Sequence, residues 1–308
     1  MKTKILKLKF LIIIISIIAL IYIALSIFTA WATFKVSSGV PTITPLSYEL
    51  DFEELSIHSP SKRTISGWWI PNQSNKTLLV LHGLRSQKSD EQTLKYIRVF
   101  HDLGFSIAAI DFRNHGKSEN GDFTFGIDEI NDVYLTLDYL YEFKNVTKVG
   151  IWGFSYGATT AVFSGISKDS NPSTPIEIVG IFSDTPYYSL LDMLTTQVAR
   201  RTPLTLFMAD LLKPGILLMT QLLYNFDFNA IEQQYISGKT INIPTIVVGC
   251  TNDKTVSLTQ TLSVHRILGD KSKFLEFENC NAHGDAYESD PTRYRTELTN
   301  HFDQLFTN

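Results

Sequence analysis

The sequence predicts an α/β domain built on a mostly parallel eight-stranded sheet, with helices on both faces and a small helical cap, preceded by one transmembrane helix. Three observations support this prediction. Short β-rich runs alternate with segments long enough for a helix, as is typical of parallel sheets. A long, apolar, helix-like insertion interrupts the alternation once. A stretch of 21 uncharged residues, Phe10 to Ala30, lies near the N-terminus.

The N-terminal stretch is expected to cross a membrane. Twenty-one helical residues reach roughly 30 Å, the thickness of the hydrocarbon core of a bilayer. We therefore assign residues 1–9 to a cytoplasmic basic segment, 10–31 to the transmembrane helix and 32–46 to a linker. The four lysines of the first segment favour a cytoplasmic N-terminus, which makes this a single-pass protein of the cell membrane whose main domain lies outside.

A cleaved signal peptide is the competing interpretation. Ala30-Trp31-Ala32 fits a small-x-small cleavage pattern, and the lysines would serve as the basic region. The apolar run is longer than the usual core of a signal peptide, about 7–15 residues, so we favour an uncleaved signal anchor. Both interpretations export the rest of the chain, and cleavage would make it a secreted protein.

The net charge of the chain and the motifs that it lacks indicate which classes of partner and cofactor to expect. Four of the 27 basic residues precede the apolar stretch, so the remaining chain carries 23 basic against 31 acidic residues. A chain with this excess of acidic residues is not expected to present the basic surface that binds DNA or RNA, so no nucleic acid partner is expected. Neither a zinc-site spacing of cysteine and histidine nor a Walker-type phosphate loop is present, so we expect no metal and no cofactor.

The main domain is predicted over residues 47–308. Tyr48–His58 and Arg63–Ile70 alternate in polarity and are joined by the turn-forming Ser59-Pro60-Ser61, which favours an antiparallel pair. The other predicted strands are Thr77–Leu81, Ser106–Ile110, Lys148–Trp152, Glu177–Phe182, Thr245–Gly249 and Lys273–Phe277.

The cap is predicted at about residues 185–243. It contains three apolar, helix-like segments: Leu190–Val198, Leu204–Leu212 and Gly215–Tyr224. The stretch Leu204–Phe226 resembles a second membrane span. Charged Asp210 and Lys213 in its middle argue against a span and favour cap helices.

Gly153-Phe154-Ser155-Tyr156-Gly157 has the pattern G-x-S-x-G between a predicted strand and a predicted helix. Such a turn lifts the serine hydroxyl above the sheet, and its glycines permit a strained backbone and close neighbours. The strand before it and the small residues after it are the context that this motif requires. Ser155 is therefore the candidate nucleophile.

A serine nucleophile needs a base and a carboxylate that orients the base. His283 alone among the seven histidines lies in the loop that follows the last predicted strand, from which it can reach back to the serine. Asp253 follows the preceding strand and is the favoured acid. Asp184, after the strand before that, is the rival. Asp285 is too close to His283 along the chain to be its natural partner.

Hydrolysis through a serine also requires donors for the developing oxyanion. The backbone N–H of Tyr156, directly after the nucleophile, is one candidate. The backbone N–H of Leu84, in the loop His82-Gly83-Leu84-Arg85 after a strand, is the other.

Taken together, these motifs resemble the α/β-hydrolase superfamily. The resemblance rests on His82-Gly83, the segment Asp111–Ser118, the serine motif, Asp253 and His283, in that order, and it covers roughly Ser47 to the C-terminus. Within the superfamily the chain is most similar to bacterial esterases and serine aminopeptidase-like hydrolases with a small cap. The resemblance implies a hydrolase and a structural role for Asp111–Ser118, so His115 is not expected to be catalytic.

The two cysteines lie three residues before the candidate acid and base. Cys250 precedes Asp253 and Cys280 precedes His283, so a disulfide that joins both loops is conceivable in an exported protein. We favour two unpaired buried cysteines, because a bridge between adjacent parallel strands is strained.

We therefore predict a serine hydrolase that cleaves a small-molecule carboxylic ester through an acyl-enzyme intermediate. A peptidase or amidase with the same triad is the nearest alternative, and the two differ only in the leaving group. A non-catalytic binding protein that keeps the fold is the alternative from another class.

Overall fold

The computed structural model of the chain describes residues 2–36, 39, 43–59, 63–170, 175–201, 205–237 and 241–307. The strands are β1 (Glu53–His58), β2 (Thr64–Ile70), β3 (Thr77–Leu81), β4 (Ser106–Ile110), β5 (Lys148–Phe154), β6 (Glu177–Asp184), β7 (Thr245–Cys250) and β8 (Ser272–Phe277). The helices are α1 (Lys2–Phe34), α2 (Glu91–Asp102), α3 (Ile130–Lys144), α4 (Tyr156–Ser170), α5 (Leu190–Arg201), α6 (Leu206–Asp210), α7 (Lys213–Tyr224), α8 (Asn229–Ser237), α9 (Leu258–Leu268), α10 (Ala286–Ser289) and α11 (Pro291–Thr307).

The eight strands form one sheet in the order β1-β2-β4-β3-β5-β6-β7-β8. Strand β2 is antiparallel to both β1 and β4, and the other neighbours are parallel. This confirms the predicted, mostly parallel sheet and its antiparallel first pair. Ser59 donates its N–H to the carbonyl of Arg63 at 2.8 Å and closes that hairpin, while the predicted turn residues 60–62 lie outside the described residues.

Helices cover both faces of the sheet, and alternate strand residues face each layer. Leu78 and Val80 of β3 belong to a buried cluster with residues of α2 and α11. On the other face, a Cβ placed on Gly165 of α4 would lie 2.7 Å from Ile181 of β6. Because the side chains of a strand alternate in direction, wholly apolar strands such as β3 are suited to a sheet that is buried on both sides.

The segment between β6 and β7 contains the predicted cap helices, observed as α5, α6 and α7, and also α8. Its Leu204 lies outside the described residues. The chain divides into two compact units, and the first consists of Met1–Lys35 with Leu191–Asn229. The second consists of Val36–Leu190 with Ala230–Asn308. The grouping of α1 with α5 to α7 was not foreseen from the sequence, and the predicted domain limits stay a prediction.

Two helical stretches in the described part of the chain are long and apolar enough to cross a membrane, Lys4–Phe34 and Leu206–Tyr224. The first includes the predicted transmembrane residues and extends beyond them in both directions. The second comprises α6 and α7, which are separated by two turn residues. The length and composition of α1 fit an anchor.

Candidate active site

Ser155 lies in the sharp turn that joins β5 to α4. Its φ of 54° falls in the left-handed region, which costs free energy for a residue other than glycine. Two glycines permit the turn: a Cβ on Gly153 would clash with the Gly157 carbonyl, and one on Gly157 would clash with the Leu81 carbonyl. The Ser155 N–H donates to the Asp184 carbonyl at 2.8 Å, which fixes the turn to β6.

The structure brings together the three side chains that the sequence singled out. The Oγ atom of Ser155 is 2.9 Å from Nε2 of His283. The Nδ1 atom of His283 is 2.6 Å from Oδ2 of Asp253. Because a carboxylate only accepts hydrogen bonds, Nδ1–H is the donor to Asp253, and Nε2 is left with a lone pair for the serine proton.

The carboxyl group of Asp253 is fully buried, and both of its oxygens accept hydrogen bonds. Its Oδ1 accepts hydrogen bonds from the N–H groups of Thr255 at 2.7 Å and Val256 at 3.0 Å. These bonds come from the short loop between β7 and α9, so the backbone itself orients the carboxylate. The side chain of His283 is 20% exposed, whereas that of Asp253 is not exposed at all.

Helix α2 holds the loop that carries His283. The carbonyl of Gly284 accepts hydrogen bonds from the hydroxyl of Tyr96 at 3.2 Å and the amide of Gln92 at 3.3 Å. Gly284 has a φ of 89°, and a Cβ there would clash with Gln92. The carboxylate of Asp285 accepts from the N–H of Ala282 at 2.9 Å, so this acid stabilises the loop, whereas the hydrogen bond seen from His283 to a carboxylate within the described residues goes to Asp253.

The favoured interpretation of the cysteines was wrong. Cys250 and Cys280 form a disulfide with their Cα atoms 5.9 Å apart, within the usual range. Cys250 lies opposite Phe277 in the sheet register, and Cys280 lies beyond the end of β8. The bridge therefore joins a strand end to a loop and not two adjacent strands.

Asp184, the rival acid, does not contact His283 through a hydrogen bond. Its Oδ2 accepts from the hydroxyl of Tyr294 at 2.7 Å, and that hydroxyl accepts from Nε1–H of Trp152 at 2.8 Å. Burial raises the pKa of Asp184 to about 7, although the Tyr294 hydrogen bond opposes the rise. The geometry therefore favours Asp253 as the partner of His283.

The loop of Leu84 lies beside the serine turn. A Cβ on Gly83 would be 3.0 Å from the ring of Phe154. His82 accepts from the N–H of Phe112 at 3.1 Å, and its other ring nitrogen is 2.8 Å from the Gly83 carbonyl. Burial lowers the pKa of His82, so its neutral ring braces this loop.

His115 supports the next residue of the same loop. It accepts from the N–H of Arg85 at 3.4 Å, and burial lowers its pKa to about 3. This structural environment agrees with the expectation that His115 is not catalytic. The amide of Tyr156, at the first position of α4, has no acceptor within its own helix. The oxyanion roles of Leu84 and Tyr156 stay predictions.

Sequence reasoning missed the supporting residues Gln92, Tyr96 and Tyr294. Gln92 and Tyr96 contact the loop of His283 from a helix distant in the chain, Tyr294 contacts Asp184, and no local pattern marks such residues. Across the described residues, no group of three or more His, Cys, Asp or Glu side chains could hold a metal ion.

Comparison with known proteins assigns the family. Residues 40–200, just over half of the chain, match the sequence profile of the X-Pro dipeptidyl-peptidase (S15) family. The chain belongs to that family. This membership and the fold make it a hydrolase of the α/β-hydrolase class. The matched range contains Ser155, whereas Asp253 and His283 lie beyond it.

Solved structures similar to this S15-family chain include several esterases. The Pyrococcus furiosus esterase Pf2001 has a TM-score of 0.68 at 21% identity, covering 88% of this chain and 99% of that one. Est1E from Butyrivibrio proteoclasticus, solved with ferulic acid, has a TM-score of 0.57 at 11% identity, covering 82% and 100%. Likeness at these identities shows the fold alone.

A curated relative matches a shorter stretch. Over 103 residues the chain is 32% identical to the uncharacterized protein YqkD of Bacillus subtilis, and the match covers 32% of each sequence. The chain thus spans about a third of the length of this relative, which carries no assigned activity in its name.

Removing the disulfide should destabilise the protein. The bridge closes a loop over a sequence separation of 30 residues, and bridges of this kind contribute about 2–4 kcal/mol, mainly by restricting the unfolded chain. We expect the double variant Cys250→Ala/Cys280→Ala to lose that much free energy of unfolding in urea titrations. Dithiothreitol should destabilise the wild type and leave the variant unchanged; equal sensitivity of both would contradict the bridge.

The buried carboxyl of Asp184 should make stability depend on pH. Its pKa is about 7 in the folded chain against 3.8 when unperturbed, so between those values the folded state keeps a proton that the unfolded state releases. Its contribution to stability therefore falls as pH rises through this window and levels off above pH 7. The full shift corresponds to roughly 4 kcal/mol.

Asp184→Asn removes the titration and keeps an acceptor for Tyr294. The melting temperature of this variant relative to the wild type should therefore rise from pH 5 to pH 8, as measured by calorimetry. Asp122→Asn, at an exposed position, is the matched control and should leave the profile unchanged. A constant difference across the range would show that Asp184 does not titrate there.

Proposed function

We propose that this chain is a membrane-anchored serine hydrolase that cleaves carboxylic esters outside the cytoplasmic membrane. The observation that carries the proposal is the continuous chain of hydrogen bonds from Ser155 through His283 to Asp253. A strained turn presents the hydroxyl, a loop presents the imidazole, and buried backbone donors orient the carboxylate. These are the parts that nucleophilic catalysis by serine requires.

The acylation step follows from this arrangement. Nε2 of His283 removes the Ser155 proton as Oγ attacks the carbonyl carbon of the ester. The carbonyl oxygen becomes an oxyanion, which the N–H groups of Tyr156 and Leu84 receive. Asp253 stabilises the imidazolium through Nδ1–H. As the tetrahedral intermediate collapses, the imidazolium gives its proton to the departing alkoxide, and an acyl-serine remains.

Water completes the cycle. Nε2 of His283 removes a proton from a water molecule as the water oxygen attacks the acyl carbon. The second tetrahedral intermediate collapses with return of that proton to Ser155 Oγ, which releases the carboxylic acid. No group beyond the triad and the two oxyanion donors takes part in these steps.

Two observations support an exported domain. The four lysines that precede the apolar stretch of α1 favour a cytoplasmic N-terminus, and the disulfide between Cys250 and Cys280 is typical of an oxidising compartment. The uncharged stretch Phe10 to Ala30 lies within α1 and has the length of a membrane span. A cleaved signal peptide would export the same domain.

The family supports a second candidate function. A peptidase that removes X-Pro dipeptides is what the description of the matched family names. The acyl-enzyme would be the same, and the imidazolium proton would go to an amine. We rank ester cleavage first because it requires no binding feature beyond the triad. A dipeptidyl-peptidase also needs a site that binds the free α-amino group of its substrate.

The first test asks whether Ser155 is a nucleophile and which bond it cleaves. The full chain in detergent micelles should be labelled by a fluorophosphonate probe and should hydrolyse p-nitrophenyl esters of one or more acyl lengths. Ser155→Ala should abolish both, while Ser257→Ala, at an exposed site, should keep both. X-Pro nitroanilides measured alongside distinguish the peptidase. Folded protein that neither reacts with the probe nor cleaves any substrate would indicate the non-catalytic alternative.

The second test separates the two candidate acids. Asp253→Asn should lower kcat for p-nitrophenyl acetate by about 10³–10⁴, because the amide no longer holds the required tautomer of His283. Asp184→Asn should lower it less than about tenfold, since Asp184 bonds Tyr294 and not the imidazole. The reverse order of losses would make Asp184 the functional acid.

A further inference from the structure

Phe154, the last residue of β5, directly precedes the candidate nucleophile. Because alternate residues of a strand share a face, its side chain lies on the same face of the sheet as Gly150 and Trp152. Helices α2 and α11 cover that face. The ring of Trp152 packs on Tyr96 of α2 with centroids 4.6 Å apart, and a Cβ on Gly150 would clash with Phe302 of α11. The strand therefore places the Phe154 ring at the end of this aromatic layer, where the triad lies.

The ring of Phe154 packs against the imidazole of His283. Their centroids are 4.7 Å apart and their planes meet at 41°. This angle is too small for an edge-to-face contact, so the two rings meet with inclined faces, at a separation that aromatic pairs favour. The contact is additional to the two hydrogen bonds of the imidazole, which join it to Ser155 and Asp253.

Packing on a face of the imidazole supplies a restraint that the two hydrogen bonds lack. Both bonds are made by ring nitrogens, whose N–H group and lone pair point outward in the plane of the ring. They therefore resist movement within that plane more than tilting out of it. Phe154 lies against a face of the His283 ring, so it opposes the tilting. A base whose orientation is locked by packing keeps its productive geometry.

The same ring contacts the residue that follows His283. A Cβ placed on Gly284 would lie 2.9 Å from Cζ and 3.1 Å from Cε2 of Phe154, so the backbone of Gly284 lies close to this side of the ring. The carbonyl of Gly284 is held from α2 by Gln92 and Tyr96. Phe154 thus supports both the imidazole and the backbone of the loop that carries it.

The other side of the ring contacts the loop that carries the second predicted oxyanion donor. A Cβ placed on Gly83 would lie 3.0 Å from Cδ1 and 3.2 Å from Cε1 of Phe154. Leu84, whose N–H is that predicted donor, follows directly in the chain. The ring of Phe154 therefore lies between the backbone of Gly83 and that of Gly284, and it separates the oxyanion loop from the base loop.

We propose that Phe154 is a positioning residue of the serine hydrolase. Its flat ring sets the tilt of the His283 imidazole and the distance between the loops of Gly83 and Gly284. This inference rests on the proposed function. A residue that merely filled space would need apolar volume alone, whereas this role needs a planar ring, because both loops approach it through glycines that leave no room for a bulkier shape.

The test compares Phe154→Leu and Phe154→Ala with Phe105→Leu, all in the full chain in detergent micelles. Leucine keeps apolar volume without the planar ring, and alanine removes both. Phe105 is buried and packs on Phe302 with centroids 6.0 Å apart. It precedes β4 and so lies at the opposite edge of the sheet, which makes its variant the matched control for lost stability.

Four quantities are measured for each variant at a temperature well below the lowest melting temperature. They are kcat and KM for p-nitrophenyl acetate, the rate constant of labelling by a fluorophosphonate probe, and the melting temperature itself. Labelling reports the activation of Ser155 by His283 and does not depend on which bond the enzyme cleaves in its natural substrate.

Phe154→Leu should lower kcat and the labelling rate constant about tenfold and Phe154→Ala about 100-fold, because a misplaced base loses rate steeply. KM should stay within about threefold of the wild-type value, since the lost interaction acts in the transition state. Phe105→Leu should lower the melting temperature and keep kcat within about twofold. A loss below about threefold in Phe154→Ala, or an equal loss in Phe105→Leu, would overturn the proposal.

Gly83→Ala tests the ring from the side of the oxyanion loop. Gly83 does not have a positive φ, so its backbone accepts alanine, and the added methyl group meets the ring of Phe154 first. This substitution should slow labelling about tenfold in the wild type and less than about threefold in Phe154→Ala, where the ring is gone. Equal losses in both backgrounds would show that the ring does not link the two loops and would overturn the proposal.

Failure of the proposed function has a different signature. A wild type that is labelled but cleaves no ester would remove the ester assignment, and the labelling rates would then decide the role of Phe154. A folded wild type that does not react with the probe would overturn both proposals. Unchanged labelling of the Phe154 variants, beside a reactive wild type, would overturn the positioning role alone.

Discussion

The site depends on one close approach, that of the first turn of α4 to the ends of β3 and β5. Gly157 lies against the Leu81 carbonyl, and Gly153 lies against Gly157, so neither position has room for a side chain. This contact forces Ser155 into a left-handed backbone conformation. The N–H of Ser155 then bonds the Asp184 carbonyl, and the hydroxyl is left at the carboxyl ends of the strands, where loops from β7 and β8 can reach it.

Those two loops are held by several weak restraints and one covalent bond. The disulfide joins the last residue of β7 to the loop after β8, Gln92 and Tyr96 fix the Gly284 carbonyl, and backbone N–H groups orient the carboxylate of Asp253. Catalytic geometry must be kept within a few tenths of an ångström. A loop can meet that demand only when packing and hydrogen bonds from rigid elements, here α2 and the sheet, restrict it.

The sequence was informative where the determinants are local. Apolar runs bounded by turn residues predicted all eight strands, and the order of motifs predicted the superfamily, because each feature depends on a few adjacent residues. The positions of Ser155, Asp253 and His283 after three parallel strands, β5, β7 and β8, predicted that they meet, since parallel strands end at one edge.

Long-range features could not be predicted in the same way. The pairing of Cys250 with Cys280 depends on how a loop folds back beyond β8. The contact of Tyr96 with Gly284 spans almost two hundred residues, and the packing of Gly215 on Ser26 joins the cap to the N-terminal helix. Nothing in the neighbouring sequence specifies these partners, because they come together only in the folded chain.

The distribution of charge around His283 follows from the same topology. Asp184 ends β6, Asp253 follows the neighbouring parallel strand β7, and the charge of Asp253 adds to the burial that raises the pKa of Asp184. Asp253 receives two backbone N–H bonds as well as the imidazole. Asp184 receives one hydroxyl, and its Oδ1 has no hydrogen-bond partner among the described residues. Three donors therefore hold the carboxyl group of Asp253 at Nδ1 of His283, where it would stabilise an imidazolium, whereas the carboxyl group of Asp184 is held at Tyr294.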